Sequence, residues 1–454
     1  MSINLYTISS SLHTEVVPDP LKEEFIKGIE RASGLCFTYK GELAKAATVC
    51  CNCKGINIFY VRTGGTEGIF KSIFHSDGSL SPFLVESKVL LLTSGQSNSL
   101  AAAMEILSFL RQHGACGEIL HGRAQDIAAR ILELSSTGSS DSLPAGTADE
   151  SEPLSPYVQE LGDCAKLLEG SRLGVIGRPS DWLISSNVDY ALAKEKLGCE
   201  LIDIPISEVI DLFNNRNFNI GIVDKLCNNP ENFNAVHENT RNIRTRNNEG
   251  SAPDSNAVIS DAEMEKAQRV YCCLKEIVRK YELTGLTLRC FDLLDSIRTT
   301  GCLALAKLNA EGITASCEGD VPAMISMEIA RKLCGTPGFQ VNLSRIDGDS
   351  LLFAHCSVPL NIVERHSYNT HFESGIGVAV HGEFKEGPVS IFKTGADMKH
   401  FVTIAGEITG NQYRPGLCRT QVLVKAPGAA EYLLKSPLGN HHIIVPGHLN
   451  LKKT

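Results

Sequence analysis

The sequence lacks any apolar run of the roughly 18 to 20 residues that a membrane-spanning helix needs. It also lacks an excess of basic residues: the 454 residues carry a formal net charge of −9, whereas a nucleic-acid-binding protein normally shows a basic face. The first residues, Met1 to Leu5, have neither the basic start nor the apolar stretch of a signal peptide. These absences predict a protein with no membrane and no nucleic-acid partner. Anionic small molecules stay open as ligands, because local charge matters more than the total.

Cysteine pairs at metal-binding or disulfide spacing are scarce, although the chain has 16 cysteines. Most cysteines stand singly inside apolar segments, as Cys36, Cys164 and Cys290 do, where a thiol behaves as a small buried hydrophobic group. The stretch CCNC at 50–53 is a cluster, but no second pair at zinc-finger spacing accompanies it, so a metal there is the weaker interpretation. Thiols used in this way fit a reducing compartment, and we predict a cytoplasmic location.

Length and pattern predict more than one domain, because 454 residues exceed what a single hydrophobic core supports. Strand-type runs at 56–61 and 88–93 alternate with an amphipathic helical pattern at 99–112. This alternation predicts a parallel sheet covered by helices in an N-terminal domain, residues 1–168. The stretch 135–156 is rich in Ser, Gly and Pro, which is typical of an exposed connection near a domain boundary.

Two further domains are predicted, an α/β domain at 169–335 and a β-rich domain at 336–454. In the first of these, a strand at 173–177 precedes a turn and a helical sequence, while the polar stretch 232–256 indicates a surface excursion. Beyond residue 336, short apolar runs separated by Gly, Pro or Asp indicate strands. The predicted fold class is therefore α/β: two Rossmann-like parallel-sheet domains followed by an all-β, barrel-like C-terminal domain.

The most informative block is ASCEGDVP at 315–322. Asp320 is a good helix N-cap, Pro322 fits the first helical turn, and the helix should end near Gly335. Glu318 therefore lies between the end of a strand and the start of a helix, where open α/β sheets place ligands. A solvated loop residue is the alternative interpretation of Glu318, and this block alone does not decide between the two.

Two later blocks carry polar residues at predicted strand ends. The first is GFQVNLSRID at 338–347, and the second is GNHHIIVPGH at 439–448. Neighbouring side chains on a strand point in opposite directions, so at most one of His441 and His442 should face a common site. A histidine pair alone is weak evidence for a metal.

Taken together, these blocks resemble the L-fucose isomerase family. The shared order is CEGDVPA (317–323), an apolar helix, a short strand reaching Asn342, and a late NHxxxxxGH motif (440–448). Further similarity lies in GRPSDWLI (177–184), AHC (354–356) and HFESG (371–375). The resemblance spans roughly residues 90 to 450, and several separate motifs agree in order and spacing.

The resemblance implies an aldose–ketose isomerase that converts a monosaccharide through an enediol, with Mn²⁺ or another divalent ion such as Mg²⁺. It implies that Glu318, Asn342 and His441 hold the metal and that Glu318 also transfers the proton. It further implies a homo-oligomer, with a hexamer as a candidate assembly.

One departure from the family pattern is Asn342, which stands where the family has a ligating aspartate. An amide can offer its oxygen to a metal, but it is uncharged and cannot act as a base. The alternative hypothesis is therefore a sugar-binding homologue of the isomerase fold with weakened or lost catalysis. A third hypothesis is metal-dependent chemistry on an anionic sugar.

Five further residues are predicted to contact the substrate. Arg178 and Trp182 follow a strand, where they would hold sugar hydroxyls or an anionic group, or else form a surface ion pair and a core contact. His355 ends an apolar strand, and a structural role is its alternative. Lys393 is expected to face either the substrate-binding cleft or solvent. Asn440 directly precedes His441 in the motif at 440–448.

Overall fold

The computed structural model describes residues 3–10, 19–43, 56–82, 84, 88–137, 157–160, 167–218, 259–414, 416–447 and 449. Several features of the sequence lie outside these described residues: the cysteines at 50–53, Cys164, residues 138–156 of the stretch rich in Ser, Gly and Pro, the polar stretch 232–256, and His448. None of the helices in the described ranges is long and apolar enough to cross a membrane.

The N-terminal part of the chain alternates strands and helices. In chain order its elements are β1 (Ile3–Ile8), a 3₁₀ turn (Pro20–Lys22), α1 (Glu24–Ser33), β2 (Phe37–Glu42), β3 (Ile56–Val61), α2 (Glu67–Phe74), β4 (His75–Ser76), β5 (Ser79–Leu80), β6 (Val89–Thr93), α3 (Ser99–Gln112), β7 (Gly117–Leu120) and α4 (Ala124–Thr137). Strands β2, β1, β3, β6 and β7 form one parallel sheet in that order. Every residue of β6 is buried, which explains its unbroken apolar run. The predicted strands and helix of this region are confirmed.

A second parallel sheet follows. After β8 (Val158–Glu160), its elements are β9 (Arg172–Ile176), α5 (Tyr190–Leu197), β10 (Glu200–Ile204), α6 (Ile206–Asn214), α7 (Asp261–Tyr281), β11 (Gly285–Leu288), α8 (Asp292–Ser296), α9 (Cys302–Ala310), β12 (Thr314–Cys317) and α10 (Val321–Cys334). The sheet order is β10, β9, β11, β12, all parallel. Asp320 caps α10 by accepting the N–H of Ala323, and Gly335, at φ +75°, ends it. The predicted limits of this helix are confirmed.

The C-terminal part is a barrel. Its elements are β13 (Phe339–Asp347), β14 (Ser350–His355), β15 (Arg365–Asn369), β16 (Ala379–Glu383), β17 (Gly387–Thr394), β18 (His400–Asn411), β19 (Thr420–Lys425), α11 (Ala429–Lys435) and β20 (His442–Pro446). Six antiparallel strands run in the order β17, β20, β13, β14, β19, β18, and pairing of β17 with β18 closes the barrel. Strands β15 and β16 form a separate antiparallel pair. The predicted barrel is confirmed, with one addition to the all-β expectation, the helix α11.

The barrel shares buried apolar clusters with both parallel sheets. Leu173 and Val175 of β9 belong to one cluster with Phe392 and Phe401 of the barrel. A single cluster of buried apolar side chains includes Phe59 and Leu107 from the first sheet and its helices, and Val341 and Val422 from the barrel. Strand β8, which lies inside the predicted N-terminal domain, pairs with β18 and so extends the barrel sheet. The predicted domain limits at 168 and 335 stay predictions. This packing brings the ends of β12, β14 and β20 together.

Candidate metal centre

Three side chains from distant parts of the chain converge where β12, β14 and β20 meet. The Oε1 atom of Glu318 lies 3.4 Å from Nε2 of His355 and 3.5 Å from Nε2 of His441. All three potential ligand atoms lie within 4.8 Å of one another. We call Glu318, His355 and His441 the metal trio. Among the described residues, it is the group of His, Cys, Asp and Glu side chains that could hold a metal ion. Two of its members, Glu318 and His441, were predicted to bind metal.

Glu318 has a backbone conformation that non-glycine residues rarely adopt. Its φ is +65° and that of Gly319 is +63°, so two successive residues are left-handed. A Cβ atom at residue 319 would lie 2.9 Å from the carbonyl oxygen of Arg178, and for this reason the position requires glycine. The hydroxyl of Ser180 donates to the Glu318 carbonyl and so holds the turn in place. Backbone strain of about 1–3 kcal/mol at a non-glycine residue is typical of functional sites.

His441 is oriented by a carboxylate. Its Nδ1 lies 2.8 Å from Oδ2 of Asp320, and both side chains are completely buried. With Nδ1–H donating to Asp320, the Nε2 atom faces Glu318, and Nε2 has no hydrogen-bond partner within the described part of the chain. A ligating histidine that donates its other N–H to a carboxylate is a common metal-site arrangement. Sequence reasoning identified Asp320 only as a helix cap, because nothing in its spacing points to His441.

His355 is the member of the metal trio that sequence reasoning did not name as a ligand. Its Nδ1 lies 2.9 Å from the hydroxyl of Ser357, and this contact leaves Nε2 directed at Glu318. The ring is 2% exposed, and its centroid lies 5.6 Å from that of His441. The signals in the sequence were its place at the end of an apolar strand and the family-like motif AHC (354–356), and neither identified it as a ligand. Two imidazoles, rather than the expected one, therefore face the carboxylate.

The charges of the site reinforce one another. Burial acts to raise the pKa of Glu318, but His441 and His355 outweigh it and hold that pKa well below its usual value. Burial likewise acts to lower the pKa of His441, and the carboxylates of Glu318 and Asp320 outweigh it and raise that pKa to about 10. Without a metal ion the site therefore favours an ionised Glu318 beside a positively charged His441, and a bound cation would take the place of the proton on Nε2.

Asn342, Asn440 and Lys393 lie around His441, and all three are buried. The Nδ2 of Asn440 donates to Oδ1 of Asn342 at 2.8 Å, and the Asn440 backbone N–H donates to Glu105 at 3.0 Å. The Nζ of Lys393 donates to the carbonyl oxygen of His441 at 2.7 Å. Lys393 thus holds the backbone at His441 and does not face solvent. The predicted role of Asn342 as a metal ligand stays a prediction.

Arg178 and Trp182 occupy the turn beside Glu318. The guanidinium of Arg178 is exposed and lies 3.0 Å from the Asp181 carboxylate, so it forms a surface ion pair. The ring of Trp182 is half-buried; the guanidinium of Arg289 lies 4.8 Å from its centroid, and the ring of Phe291 is nearly perpendicular to it at 5.5 Å. The predicted contacts of Arg178 and Trp182 with a substrate stay predictions. Sequence reasoning missed Arg289, which follows β11 at the same end of the sheet.

The neighbouring histidines point in opposite directions, as predicted. His442 is fully buried on the side away from the metal trio, where its Nε2 lies 3.3 Å from the hydroxyl of Tyr432. Burial lowers the pKa of His442 to about 3, so this ring is neutral. His442 therefore serves packing, whereas His441 faces Glu318.

The donor set fits a divalent metal ion. One carboxylate oxygen and two imidazole nitrogens can occupy one side of a coordination sphere. One of these nitrogens, Nε2 of His441, is buried and has no hydrogen-bond partner among the described residues. Such a set suits a first-row transition-metal ion better than Mg²⁺, which prefers oxygen ligands.

No family model matches the chain. Part of it is 28% identical to the sulfoquinovose isomerases of Priestia aryabhattai and Priestia megaterium, over 142 residues that make up 30% of this chain and 32% of each relative. A sulfoquinovose isomerase of a Clostridium species is 30% identical over 128 residues, 27% of each chain. The chain thus matches less than a third of the length of these curated relatives. The specific resemblance to L-fucose isomerases stays a prediction.

Proposed function

We propose that the protein is a metal-dependent sugar isomerase that interconverts an aldose and a ketose. The observation that carries the proposal is the metal trio: an ionised Glu318 between two imidazoles, with the buried Nε2 of His441 directed at the carboxylate. The partial similarity to enzymes named sulfoquinovose isomerase supports the same reaction class. The substrate we propose is a small monosaccharide, and Mn²⁺ is the proposed ion.

Each residue of the site has a defined task in this proposal. Glu318, His355 and His441 would hold the ion, and Asp320 would keep His441 in the tautomer that presents Nε2. When bound, the ion supplies Lewis acidity that polarises the sugar carbonyl and acidifies the neighbouring C–H. The proposed sugar lies over the open side of the metal trio, where Glu318 keeps some solvent exposure while both imidazoles are fully enclosed.

The proposal is tested by incubating purified, Mn²⁺-loaded protein with a panel of aldoses, both neutral and 6-sulfonated, and detecting ketose by NMR. Ketose formation that disappears with EDTA and returns with Mn²⁺ supports the proposal. Protein that binds Mn²⁺ stoichiometrically but converts no sugar of the panel contradicts it. His442→Asn is a matched control, because His442 adjoins His441 in sequence but faces Tyr432.

A second candidate function is sugar binding without efficient turnover. The observation that favours it is Asn342, whose amide oxygen already accepts a hydrogen bond from Asn440. An uncharged, engaged oxygen is a poor metal ligand and no base. Under this hypothesis, Asn342→Asp should strengthen Mn²⁺ binding and create or increase isomerisation, whereas a working isomerase would be unaffected or damaged. Calorimetry with Mn²⁺ and the NMR assay together distinguish the two functions.

The assembly of the protein is proposed on the resemblance alone, and its location on the use of cysteines as single thiols. We propose a homo-oligomer in the cytoplasm, with a hexamer as the candidate assembly. Light scattering coupled to gel filtration checks the assembly, and a monomer at micromolar concentration would contradict it.

A further inference from the structure

The outer edge of β12, the strand that leads into Glu318, is covered by two side-chain amides. In the described part of the second sheet β12 is the edge strand, so its outward backbone groups have no strand to pair with. Asn309 of α9 accepts the N–H of Ala315 at 2.8 Å and donates to its carbonyl at 2.7 Å. Gln340 of β13 accepts the N–H of Cys317 at 2.7 Å and donates to its carbonyl at 3.3 Å. Each amide thus pairs with β12 as a peptide group of a neighbouring strand would.

The two amides come from different parts of the fold. Asn309 belongs to α9, which lies in the same α/β part of the chain as β12. Gln340 belongs to the barrel strand β13, which pairs with β20 on one side and with β14 on the other. His441 directly precedes β20, and His355 ends β14. Gln340 therefore joins the strand of the carboxylate to the strand that lies between those of the two imidazoles.

The amide of Gln340 lies on the face of the barrel that meets the metal trio. Side chains two positions apart on a strand point to the same face, so Gln340 and Asn342 share one face of β13. The Asn342 amide accepts a hydrogen bond from Asn440, the residue before His441. Gln340 is 2% exposed, so water does not compete for its two hydrogen bonds with Cys317.

The turn at Glu318 is also held by its own sheet. The hydroxyl of Ser180 donates to the Glu318 carbonyl, and the N–H of Gly319 donates to the carbonyl of Leu288 at 3.1 Å. These contacts come from the loop after β9 and from β11, both within the second sheet. They keep the shape of the turn, but they do not fix its position relative to the barrel, where both imidazoles lie.

Two attachments to the barrel lie on either side of Glu318 in the chain. Gln340 holds Cys317, the residue before Glu318, and the Asp320 carboxylate, two residues after it, lies 2.8 Å from Nδ1 of His441. Apolar packing of α10 against β20 also joins the two parts, but such packing is non-directional. Hydrogen bonds depend on distance and angle, so attachments at two separate points fix both the offset and the rotation of the turn.

We infer that Gln340 is a positioning residue of the metal centre, which sets the offset between the carboxylate of Glu318 and the two imidazoles. The Oε1 atom of Glu318 lies 3.4 and 3.5 Å from the two Nε2 atoms, and a bound ion tolerates errors of only about 0.2 Å in its ligand distances. Release of Cys317 would leave Asp320 as the single hydrogen-bonded attachment next to Glu318. The inference rests on the metal binding that the proposed function requires.

The test compares Gln340→Met with the matched control Asn309→Leu. Each variant replaces an amide by an apolar side chain of similar length and removes two hydrogen bonds to β12. Both should therefore lower the Tm of the metal-free protein by a similar amount, on the order of 5 °C. Only Gln340→Met should lower the Mn²⁺ affinity, by about 10- to 100-fold, the usual loss when a group that orients metal ligands is removed. EPR titration of free Mn²⁺, carried out well below both Tm values, measures the affinity.

Two further readouts separate positioning from general loosening. Hydrogen exchange, followed by mass spectrometry at residue resolution, should become faster at Cys317 in Gln340→Met and at Ala315 in Asn309→Leu. This result verifies that each variant has released its own residue of β12. The EPR spectrum of bound Mn²⁺ reports the symmetry of its ligands, and it should change in Gln340→Met but not in Asn309→Leu.

Gln340→Asn is the second variant, and it decides the question if Gln340→Met does not fold. It keeps an amide on a stem one methylene shorter, so it cannot make both bonds to Cys317 with the backbone in its present position. We expect its Mn²⁺ affinity to lie between those of the wild type and Gln340→Met. A folded Gln340→Asn variant with wild-type affinity would contradict the inference.

The outcomes separate this inference from the proposed function. If the wild type binds Mn²⁺ and the folded Gln340 variants bind it equally well, the inference is wrong and the proposed function stands. An equal loss of affinity in Asn309→Leu and Gln340→Met would also overturn the inference, because any loosening of β12 would then weaken the site. If the wild type binds Mn²⁺ but converts no sugar, the proposed function fails while the affinities still decide the inference. A wild type that binds no Mn²⁺ overturns both.

Discussion

The two sides of the metal trio are built in different ways. The carboxylate side is one short turn after a parallel strand, in which Glu318 and Gly319 both have positive φ. The imidazole side consists of barrel strands, and His355 and His441 are fully enclosed there, each with its Nδ1 occupied by a neighbour. The comparison shows that local backbone strain positions the carboxylate, whereas long-range strand pairing and hydrogen bonds position the imidazoles.

The largest expected effect comes from removing the charge on the carboxylate side. Glu318→Gln keeps the shape of the side chain but leaves two imidazoles without a carboxylate. We expect Mn²⁺ affinity to fall by more than about 100-fold, together with loss of any isomerase activity, because anionic oxygen is the strongest donor of the set. EPR titration of free Mn²⁺ measures the affinity. An unchanged affinity in Glu318→Gln, with the control His442→Asn also unchanged, would show that the metal trio is not a metal site.

A smaller effect is expected on the imidazole side from Asp320→Asn. The amide oxygen can still cap α10 at Ala323, so the helix should remain, but the negative charge beside His441 is lost. Carboxylates that orient a ligating histidine typically contribute about 10- to 100-fold to metal affinity or activity. Calorimetric Mn²⁺ titration measures the loss, and circular dichroism verifies the helix. Wild-type affinity in a folded Asp320→Asn variant would show that this contact does not tune His441.

Replacing each of two glycines with positive φ by alanine tests how tightly the turn at Glu318 is packed, through the loss in the free energy of unfolding. A Cβ at Gly319 would lie 2.9 Å from both the Arg178 carbonyl and the Ser180 hydroxyl, whereas one at Gly335 meets nothing within 4 Å. Gly335→Ala should lower the free energy of unfolding by about 1 kcal/mol from backbone strain alone. Gly319→Ala should cost about 2–4 kcal/mol, because overpacking adds to the strain. Urea unfolding of the metal-free proteins checks the difference, and equal losses would mean that the turn relaxes.

The smallest effect is a pH dependence of stability in the metal-free protein. The pKa of Glu67 is raised from 4.5 to about 8 by burial, so folding favours its protonated form. This contribution is fully present below pH 4.5 and is lost as pH rises to about 8. Glu67→Gln removes the titration, so its Tm relative to wild type should be about 2 °C or more higher at pH 8 than at pH 5. Differential scanning calorimetry with EDTA measures the shift, and parallel Tm curves for the two proteins would contradict it.

Regular elements and the local part of the site were predictable from the sequence. The buried run of β6, the amphipathic pattern of α3 and the capped start of α10 are each encoded by residues close together in the chain. The placement of Glu318 between β12 and α10 follows from the same local signals. The short barrel strands were recognisable, but their pairing order was not.

The contacts between site residues that are far apart in the sequence were not predictable. The sequence identified His355 as a strand end and Asp320 as a helix cap. Their contacts in the site form only on folding, because His355 is 37 positions from Glu318 and Asp320 is 121 positions from His441.

By itself the sequence determined the helices, the strands and the residue types at their ends, since hydrophobic periodicity and capping act over a few residues. Only the tertiary structure decided which ends meet: closure of the barrel by β17 and β18 and the shared apolar core bring Glu318, His355 and His441 within 4.8 Å. The physical reason is that burial of apolar surface selects the arrangement of elements as a whole, and the polar groups at their ends are then positioned by that arrangement.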